Sequence, residues 1–463
     1  MTSERPLRVA VVGSGPAGFY AAGQFLASDL SVEVDMIERL PTPGGLVRRG
    51  VAPDHPNIKS VSRVFEKIGH RPGFRFFGNV DVGRDLGHAY LMKVYDAVVY
   101  AVGAQTDRRM GIPGEDVPGS WPATVFVAWY NGHPDFQDVE FDLSDERAVV
   151  VGNGNVAVDV ARMLALAADE LATTDTTDEA IAAIAGAGIH EIEILGRRGP
   201  AQASFTTPEL QELGELAGAD VAVDPADLEL DPASEAALQA DTAIARRNVE
   251  VLREFASREP AGKTRIVRLR FCVSPVSILG EERVEAVEIV RNELVAGPDG
   301  AIRAVPTGQR EIIPCGVVFR SVGYRGLGLD GIPFDADRGT IPNRGGRVLD
   351  GTGEPIPGVY CAGWIKRGPS GVIGTNKKDA TETVELVLED AKSGRLRASG
   401  GHTAAEVDAL LAERGVRVVS YAGWEAIDAA ERARGDSEGR PRVKLATWEE
   451  LLATAEGATE RRQ

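Results

Sequence analysis

The sequence predicts an α/β fold in which one strand–glycine–helix unit is split along the chain by the insertion of a second. Three observations predict it. The apolar run Val9-Ala10-Val11-Val12 ends in Gly13-Ser14-Gly15-Pro16-Ala17-Gly18 and passes into a helical pattern. A second run, Ala148-Val149-Val150-Val151, ends in Gly152-Asn153-Gly154-Asn155-Val156-Ala157. Apolar strands with glycine-rich ends then return at residues 317–323 and 358–363, as though the chain completes the first unit after building the second.

Composition bounds the function. The 463 residues are 43% hydrophobic and 26% charged, enough for two or three domains. A net charge of −18 repels nucleic acid and anionic membrane at long range, so neither is an expected partner. There is no apolar run of 18 residues to span a bilayer. Residues 1–6 lead directly into the first strand without an apolar signal segment, which points to a cytoplasmic protein. Cys272, Cys315 and Cys361 have no spacing suited to a disulfide relay, a zinc site or an iron–sulfur cluster. No metal is expected.

In the first unit, Gly13 permits the tight turn, Gly15 allows backbone to approach a pyrophosphate, and Gly18 lets the helix pack on the sheet. The helix N-terminus offers free N–H groups and partial positive charge, worth about 0.3–2 kcal/mol toward an anion. Twenty residues beyond Gly18, the strand 32–37 ends at Glu38, where a carboxylate accepts hydrogen bonds from a ribose. The loop 41–56 is rich in Pro and Gly, at the strand end where such sheets bind ligands. A helix with the stripe Ile58, Val61, Val64, Phe65 and Ile68 follows. Next come strands at 74–77 and 95–103 and a turn-rich crossing at 105–119.

The second unit has the GxGxxA form, with Ala157 at the helix–strand contact. Its helix is expected over 156–171, followed by a polar, alanine-rich insertion at 172–188 and a strand at 191–195. That strand ends in Gly196-Arg197-Arg198-Gly199. An NAD site carries an acid there, whereas two arginines suit the 2′-phosphate of NADP. Two Rossmann-like dinucleotide-binding units in one chain then call for two cofactors, a flavin dinucleotide on the first and NADPH on the second. Beyond Arg198, Thr207 is the expected N-cap of a helix with Pro208 at its first position. A longer helix is expected over 234–256, with strands near 264–273, 283–290 and 317–322. Ser321-Val322-Gly323 resembles Ala101-Val102-Gly103, and the two are read as paired crossings into and out of the second unit.

The chain returns through the strand ending at Cys361-Ala362-Gly363-Trp364. Gly368-Pro369-Ser370-Gly371-Val372-Ile373 then opens a helix with the stripe Val384, Val387, Leu388 and Ala391. A glycine-rich helix N-terminus can hold an electron-rich ring edge. From about residue 401 the composition fits either helices packed on the first unit or a mobile appendage.

Taken together, GSGPAGFYAA, GLVRRGVAPDHP, FRFFGNV, YDAVVYAVGA, IPGED, VVGNGNVAVDVAR, GRRGP, FTTPEL, RSVGYRG, GTIPN and GWIKRGPSGVIGTNKKDA resemble the adrenodoxin reductase-type NADPH–ferredoxin reductases, the actinobacterial members above all. YAGWEAID and GRPRVKL in the tail are similar too. The resemblance implies a flavin domain over 1–106 and 326–463, with 401–463 as a helical tail, and an inserted NADP domain over 107–325. It implies FAD contacts from Ala17, Glu38, Leu46, Val82, Trp364, Gly371, Val372 and Ile373. It implies NADP contacts from Arg108, the run Asn153, Gly154, Asn155, Val156, and from Arg197, Arg198, Glu209 and Gly371. His55 and a carboxylate after FTTP resemble the family's proton-handling pair. Glu212 is favoured for it, Glu209 stands on the same helical side, and Asp159 is a third candidate. Gly44 departs from the family pattern, standing where a large aromatic residue is usual.

The activity so implied is hydride transfer from NADPH to FAD, then single electrons to an iron–sulfur ferredoxin, which could in turn feed a cytochrome P450. A monomer or weak dimer is implied. Lys366, Arg367, Lys377 and Lys378 are candidate steering charges for an acidic ferredoxin. The alternative is an NADPH-dependent flavin reductase, a diaphorase, acting on a quinone or another small acceptor. A nucleotide sensor without turnover is a rival of another class. From the residues alone, His55 could instead cap the helix that follows it.

Overall fold

The computed structural model describes residues 5–240, 243–298, 300–396 and 403–460. Two sheets organise it. The first has seven strands. Leu7–Val12 lies at its centre and pairs in parallel with Val32–Ile37 on one side and Ala97–Tyr100 on the other. Phe74–Phe77 extends the first side. Pro355–Cys361 joins Ala97–Tyr100 in parallel, although more than 250 residues of chain separate them. Strands buried on both faces read as continuous apolar runs, which is why Val9–Val12 and Val98–Tyr100 are legible as strands.

The second sheet holds six strands in the order Ser120–Pro122, Val317–Arg320, Arg147–Val151, Glu191–Leu195, Arg265–Arg270, Ala219–Val223. A three-stranded antiparallel meander, Val273–Leu279, Ala286–Ala296 and Ile302–Pro314, packs beside it. Thr106–Asp107 and Tyr324–Arg325 form a two-stranded antiparallel ribbon. The two crossings read from sequence are therefore hydrogen-bonded to each other. Their likeness extends to the glycine turns. A Cβ at Gly13, φ +100, would fall 2.6 Å from Ala101 O, and one at Gly152, φ +126, would collide with Ser321 O. Each glycine turn lies against the strand end of the matching crossing.

Several expectations need correction. The helix after Pro56 is two pieces, Pro56–Lys59 and Ser62–Gly69. The break shifts the helical phase, so Ile58 and Val64 are 39% and 43% exposed, while Phe65 and Ile68 are buried. Phe65 stacks on Phe19 at 4.6 Å between ring centroids. The helix of the second unit spans Asn155–Ala165, not 156–171. It stops because Leu166 turns extended, and Arg265 donates to the end carbonyls of Ala165 and Leu166 at 3.4 and 3.1 Å. The insertion contains a helix of its own, Asp178–Ala185. Thr206, not Thr207, is the N-cap, because the Thr207 hydroxyl donates to Asn248 Oδ1 at 2.7 Å. The expected 234–256 helix is two, Pro232–Ala240 and Ala243–Ala256, with 241–242 outside the described residues. The strand expected at 283–290 is Ala286–Ala296, and Ile302–Pro314 was not expected at all. Pro306, Gly308 and Pro314 hide the latter, and an exposed edge strand tolerates them.

The tail is packed. Val407 and Leu411 are fully buried in the cluster that holds Ala10, Tyr95 and Val98. Glu431, also fully buried, accepts from Arg48 at 2.5 and 3.0 Å, from Arg442 at 2.9 Å and from Leu445 N at 3.0 Å. Lys444 reaches Asp175 at 3.2 Å and Asn131 at 2.9 Å, and Lys59 reaches the same Asp175 at 2.6 Å. This excludes the free-appendage alternative for the described tail residues. Residues 401–402 and 461–463 of the expected 401–463 tail lie outside the described residues. Among the described residues, no helix is long and apolar enough to cross a membrane.

Candidate functional site

At the first glycine turn, Gly15 is the N-cap of Pro16–Phe25, with no side chain capping its N–H groups. A Cβ at Gly15 would meet nothing within 4 Å, whereas one at Gly18 would collide with Gly13 O. The cradle is thus closed beneath Gly18 and open at Gly15, where a phosphate-bearing group fits. Glu38 faces it. Its Oε2 accepts from Ser14 N at 2.9 Å and Ser14 Oγ at 2.6 Å, and its Oε1 accepts from Leu40 N at 3.0 Å. The loop before Leu46 closes on the same turn. Gly44 N donates to Ser14 O at 3.0 Å, and a Cβ at Gly45 would lie 2.8 Å from Gly15 Cα. Gly44 has φ +108, a conformation that an aromatic residue adopts only under strain.

The returning strand completes this rim. A Cβ on Gly363 would lie 2.7 Å from Ala17 Cβ, so Ala17 sits beneath the turn that carries Trp364. Trp364 donates to Ser370 O at 3.2 Å and tilts against Tyr324, 5.3 Å between ring centroids. Val372 caps Ile373–Lys392 and is 61% exposed, a large apolar side chain left bare at a helix N-terminus. Gly371 precedes it with φ +79. Val82 packs on the cluster of Val12, Ile37 and Tyr100.

In the second unit, Gly154 is the N-cap of Asn155–Ala165 and likewise has no side-chain cap. Asn155 Oδ1 accepts from Thr206 N at 2.8 Å. Asn153 Nδ2 would lie 2.6 Å from a Cβ on Gly196, so the glycine turn packs on the two-arginine loop. Burial, and then the like charge of Arg197, pull the Arg198 guanidinium below its ordinary value. Arg108 N donates to Gly323 O at 2.8 Å, placing this exposed arginine on the ribbon between the units. Val156 packs on the core of the second sheet.

The titratable residues converge between the two units. His55 Nε2 is 2.7 Å from Glu212 Oε2 and 3.6 Å from Glu209 Oε2. His55 does occupy the N-cap of Pro56–Lys59, but its side chain makes no capping bond. The capping alternative is therefore replaced by a contact 157 residues away in the chain. Arg162, 2% exposed, lies among four acids. It bonds Asp54, meets Glu212 at 2.6 Å and Glu209 at 3.3 Å, and approaches Asp159 at 3.8 Å. Burial, and then the neighbouring Glu209, push the Asp159 carboxyl well above the ordinary carboxylate range. Burial pushes Glu209 up as well. Asp159 Oδ1 has no hydrogen-bond partner, so no hydrogen bond on that oxygen offsets the cost of its burial.

The His55, Glu209 and Glu212 ligand atoms lie within 4.8 Å of one another, a spacing a metal ion could use. Arg162 already sets its guanidinium on both carboxylates, so the cation of this cluster is an arginine. Sequence reasoning did not single out Asp54 and Arg162. Their signal was available: Asp54 precedes His55, and Arg162 lies one helical turn beyond Asp159. Lys366, expected to steer a partner, is 8% exposed and paired with Asp379 at 2.9 Å. Lys377 and Lys378 remain exposed.

A family described as pyridine nucleotide-disulphide oxidoreductase matches residues 7–192. NADPH-ferredoxin reductase FprA of Mycobacterium tuberculosis is 51% identical over 457 residues, covering 97% of this chain and 99% of that protein. The chain belongs to the adrenodoxin reductase-type NADPH–ferredoxin reductase family. The human mitochondrial NADPH:adrenodoxin oxidoreductase is 42% identical over 463 residues, 97% of this chain and 92% of its own. The solved structure of M. tuberculosis FprA in complex with NADPH superposes with a TM-score of 0.92 at 51% identity, covering 98% of this chain and all of that one. This ferredoxin reductase family member has no disulfide among its described cysteines. Cys272, Cys315 and Cys361 are all free, and burial pushes the thiols of Cys315 and Cys361 up to about 12. They remain thiols at neutral pH, and the wider family's disulphide chemistry is not built into this chain.

Proposed function

We propose that the chain is an FAD-dependent NADPH:ferredoxin oxidoreductase. The observation that carries this reading is the His55–Glu212 contact, which joins the loop closing on the first glycine cradle to the helix beside the second. FAD, held by the residues named below, would supply the redox chemistry that couples a hydride donor, NADPH, to a one-electron iron–sulfur acceptor. The chain's own residues supply position and proton control.

Gly13, Gly15, Ala17, Gly18, Glu38, Leu46, Val82, Trp364, Gly371, Val372 and Ile373 would hold FAD. The open cradle at Gly15 and the bare helix end at Val372 support that assignment. Arg108, Asn153, Gly154, Asn155, Val156, Arg197, Arg198, Glu209 and Gly371 would hold NADP(H), supported by the uncapped helix at Gly154 and the two-arginine loop. His55 and Glu212 hold a proton between Nε2 and Oε2. Asp159, whose carboxyl is pushed toward the protonated form by burial and by Glu209, is a reserve next to them, with the guanidinium of Arg162 set against the surrounding acids. Proton handling of this kind contributes about 10²–10⁴ in rate where it limits turnover.

The test is an anaerobic spectrum of the purified protein before and after NADPH, followed by turnover with ferredoxin and with a quinone. A flavin that bleaches with NADPH and recovers with ferredoxin supports the reading. A flavin that recovers only with the quinone supports the diaphorase instead, and a flavin that does not bleach supports the sensor.

A further inference from the structure

The two-arginine loop is held from behind by the meander. Cys272 N donates to Arg198 O at 3.1 Å, and Cys272 itself has φ +53. Asn292 Nδ2 donates to Arg197 O at 2.9 Å and to Ser274 Oγ at 2.8 Å. The carbonyls of both arginines are thereby fixed, one by a backbone donor and one by a side chain.

Asn292 is only 5% exposed. Strand register shifts between Val290 and Asn292, and Asn292 N donates to Cys272 O at 2.7 Å. This irregularity aims the side chain at the loop instead of along the strand face. A carbonyl can only accept, so the amide nitrogen must face Arg197 O. Asn292 Oδ1 is left buried without a partner. An unpaired buried oxygen is a cost of the orientation, and the orientation serves Arg197. Beside these groups is a cavity of about 290 Å³, lined by Arg197, Arg198, Ser274, Asn292, Ile302 and Arg303.

We propose that Asn292 is a positioning residue for cofactor choice: it sets the Arg197–Arg198 loop so that both guanidinium groups converge on the 2′-phosphate of an adenosine held at this cavity. The proposal rests on the reading of Arg197 and Arg198 given above. Fixing a carbonyl fixes its peptide plane, and with it the direction in which the neighbouring side chains leave the backbone. Guanidinium–phosphate bonding is directional, so a small rotation of that plane loses a bond to the phosphate while leaving contacts to the rest of the nucleotide intact. A residue that merely supports the fold would weaken all nucleotide ligands alike.

The test uses the FAD-loaded enzyme carrying Asn292→Ala, or Asn292→Leu. The latter keeps the branched side-chain shape while removing the donor, and it carries the test if the alanine variant does not fold. Inhibition by 2′,5′-ADP and by 5′-AMP is measured against NADPH, alongside kcat and flavin content. The expected result is 2′,5′-ADP weakened by about tenfold, the loss of one charge-assisted contact, with 5′-AMP and kcat unchanged. Equal weakening of both inhibitors, or of neither, overturns the proposal. Replacing Arg197 and Arg198 together is the control. If that double variant still prefers 2′,5′-ADP, the reading of the loop fails. If it loses the preference while the Asn292 variants keep it, only the role of Asn292 fails.

Discussion

His55 Nε2 and Glu212 Oε2 lie 2.7 Å apart although 157 residues separate them. One belongs to the loop closing the first glycine turn, the other to a helix of the inserted unit. Replacing Glu212 with Gln keeps the volume and removes the carboxylate that Nε2 of His55 meets at 2.7 Å. The expected outcome is a fall of about 10²-fold or more in the rate of NADPH-dependent flavin reduction, with unchanged NADPH affinity. Stopped-flow absorbance separates the two quantities.

Arg162 is the cation on which four acids depend. Burial alone would lower its guanidinium, but the neighbouring acids, Asp54 foremost, overcome that and hold it above its ordinary value. Arg162→Met leaves buried carboxylates without a partner and should destabilise the protein by about 3–5 kcal/mol. Urea denaturation at neutral pH would measure it, and a loss below about 1 kcal/mol would contradict the assigned hub.

Asp159 gives a pH signature. Its folded carboxyl binds a proton more tightly than the unfolded one, because burial and then Glu209 oppose ionisation. The folded state therefore holds the extra proton above the ordinary carboxylate pKa, and stability falls as pH rises from there toward the folded value. Asp159→Asn should flatten that fall and gain thermal stability over wild type at neutral pH. Melting temperatures across the acid-to-neutral range would show it.

Glu431 has the opposite sign. Burial would raise its carboxyl, but Arg48 and Arg442 outweigh it and hold it below its ordinary value. Its contribution is present above the ordinary carboxylate pKa and lost as pH falls through the lowered one. Glu431→Ala should cost about 3–5 kcal/mol at neutral pH. Because Arg48 belongs to the loop helix that begins at Leu46, flavin retention on dilution should fall with it.

Of the four charges expected to steer an acidic partner, Lys366 is paired with Asp379 and Arg367 is bonded to Ser370 and Asn376, while Lys377 and Lys378 are exposed and are proposed for that role. Reversing both should raise the KM for ferredoxin and weaken its dependence on ionic strength, with NADPH-to-dye turnover unchanged. Salt-titrated steady-state kinetics would show whether the docking face lies elsewhere.

The sequence by itself determined the elements whose signal is local. Runs such as Val9–Val12 and Ala148–Val151, buried on both faces, can be read as strands, and the glycines after them as turns, because each depends on neighbours in the chain. The two arginines after Leu195 and the paired crossings were legible for the same reason. Only the tertiary structure decided what depends on distant partners. It ended a helix at Ala165 because Arg265 takes the last carbonyls, moved a cap to Thr206 because Asn248 takes the Thr207 hydroxyl, and bound the tail through Glu431 and Lys444. It placed Arg162 among Asp54, Asp159, Glu209 and Glu212, and Asn292 behind Arg197. Burial and charge pairing depend on spatial neighbours, and chain order does not encode those.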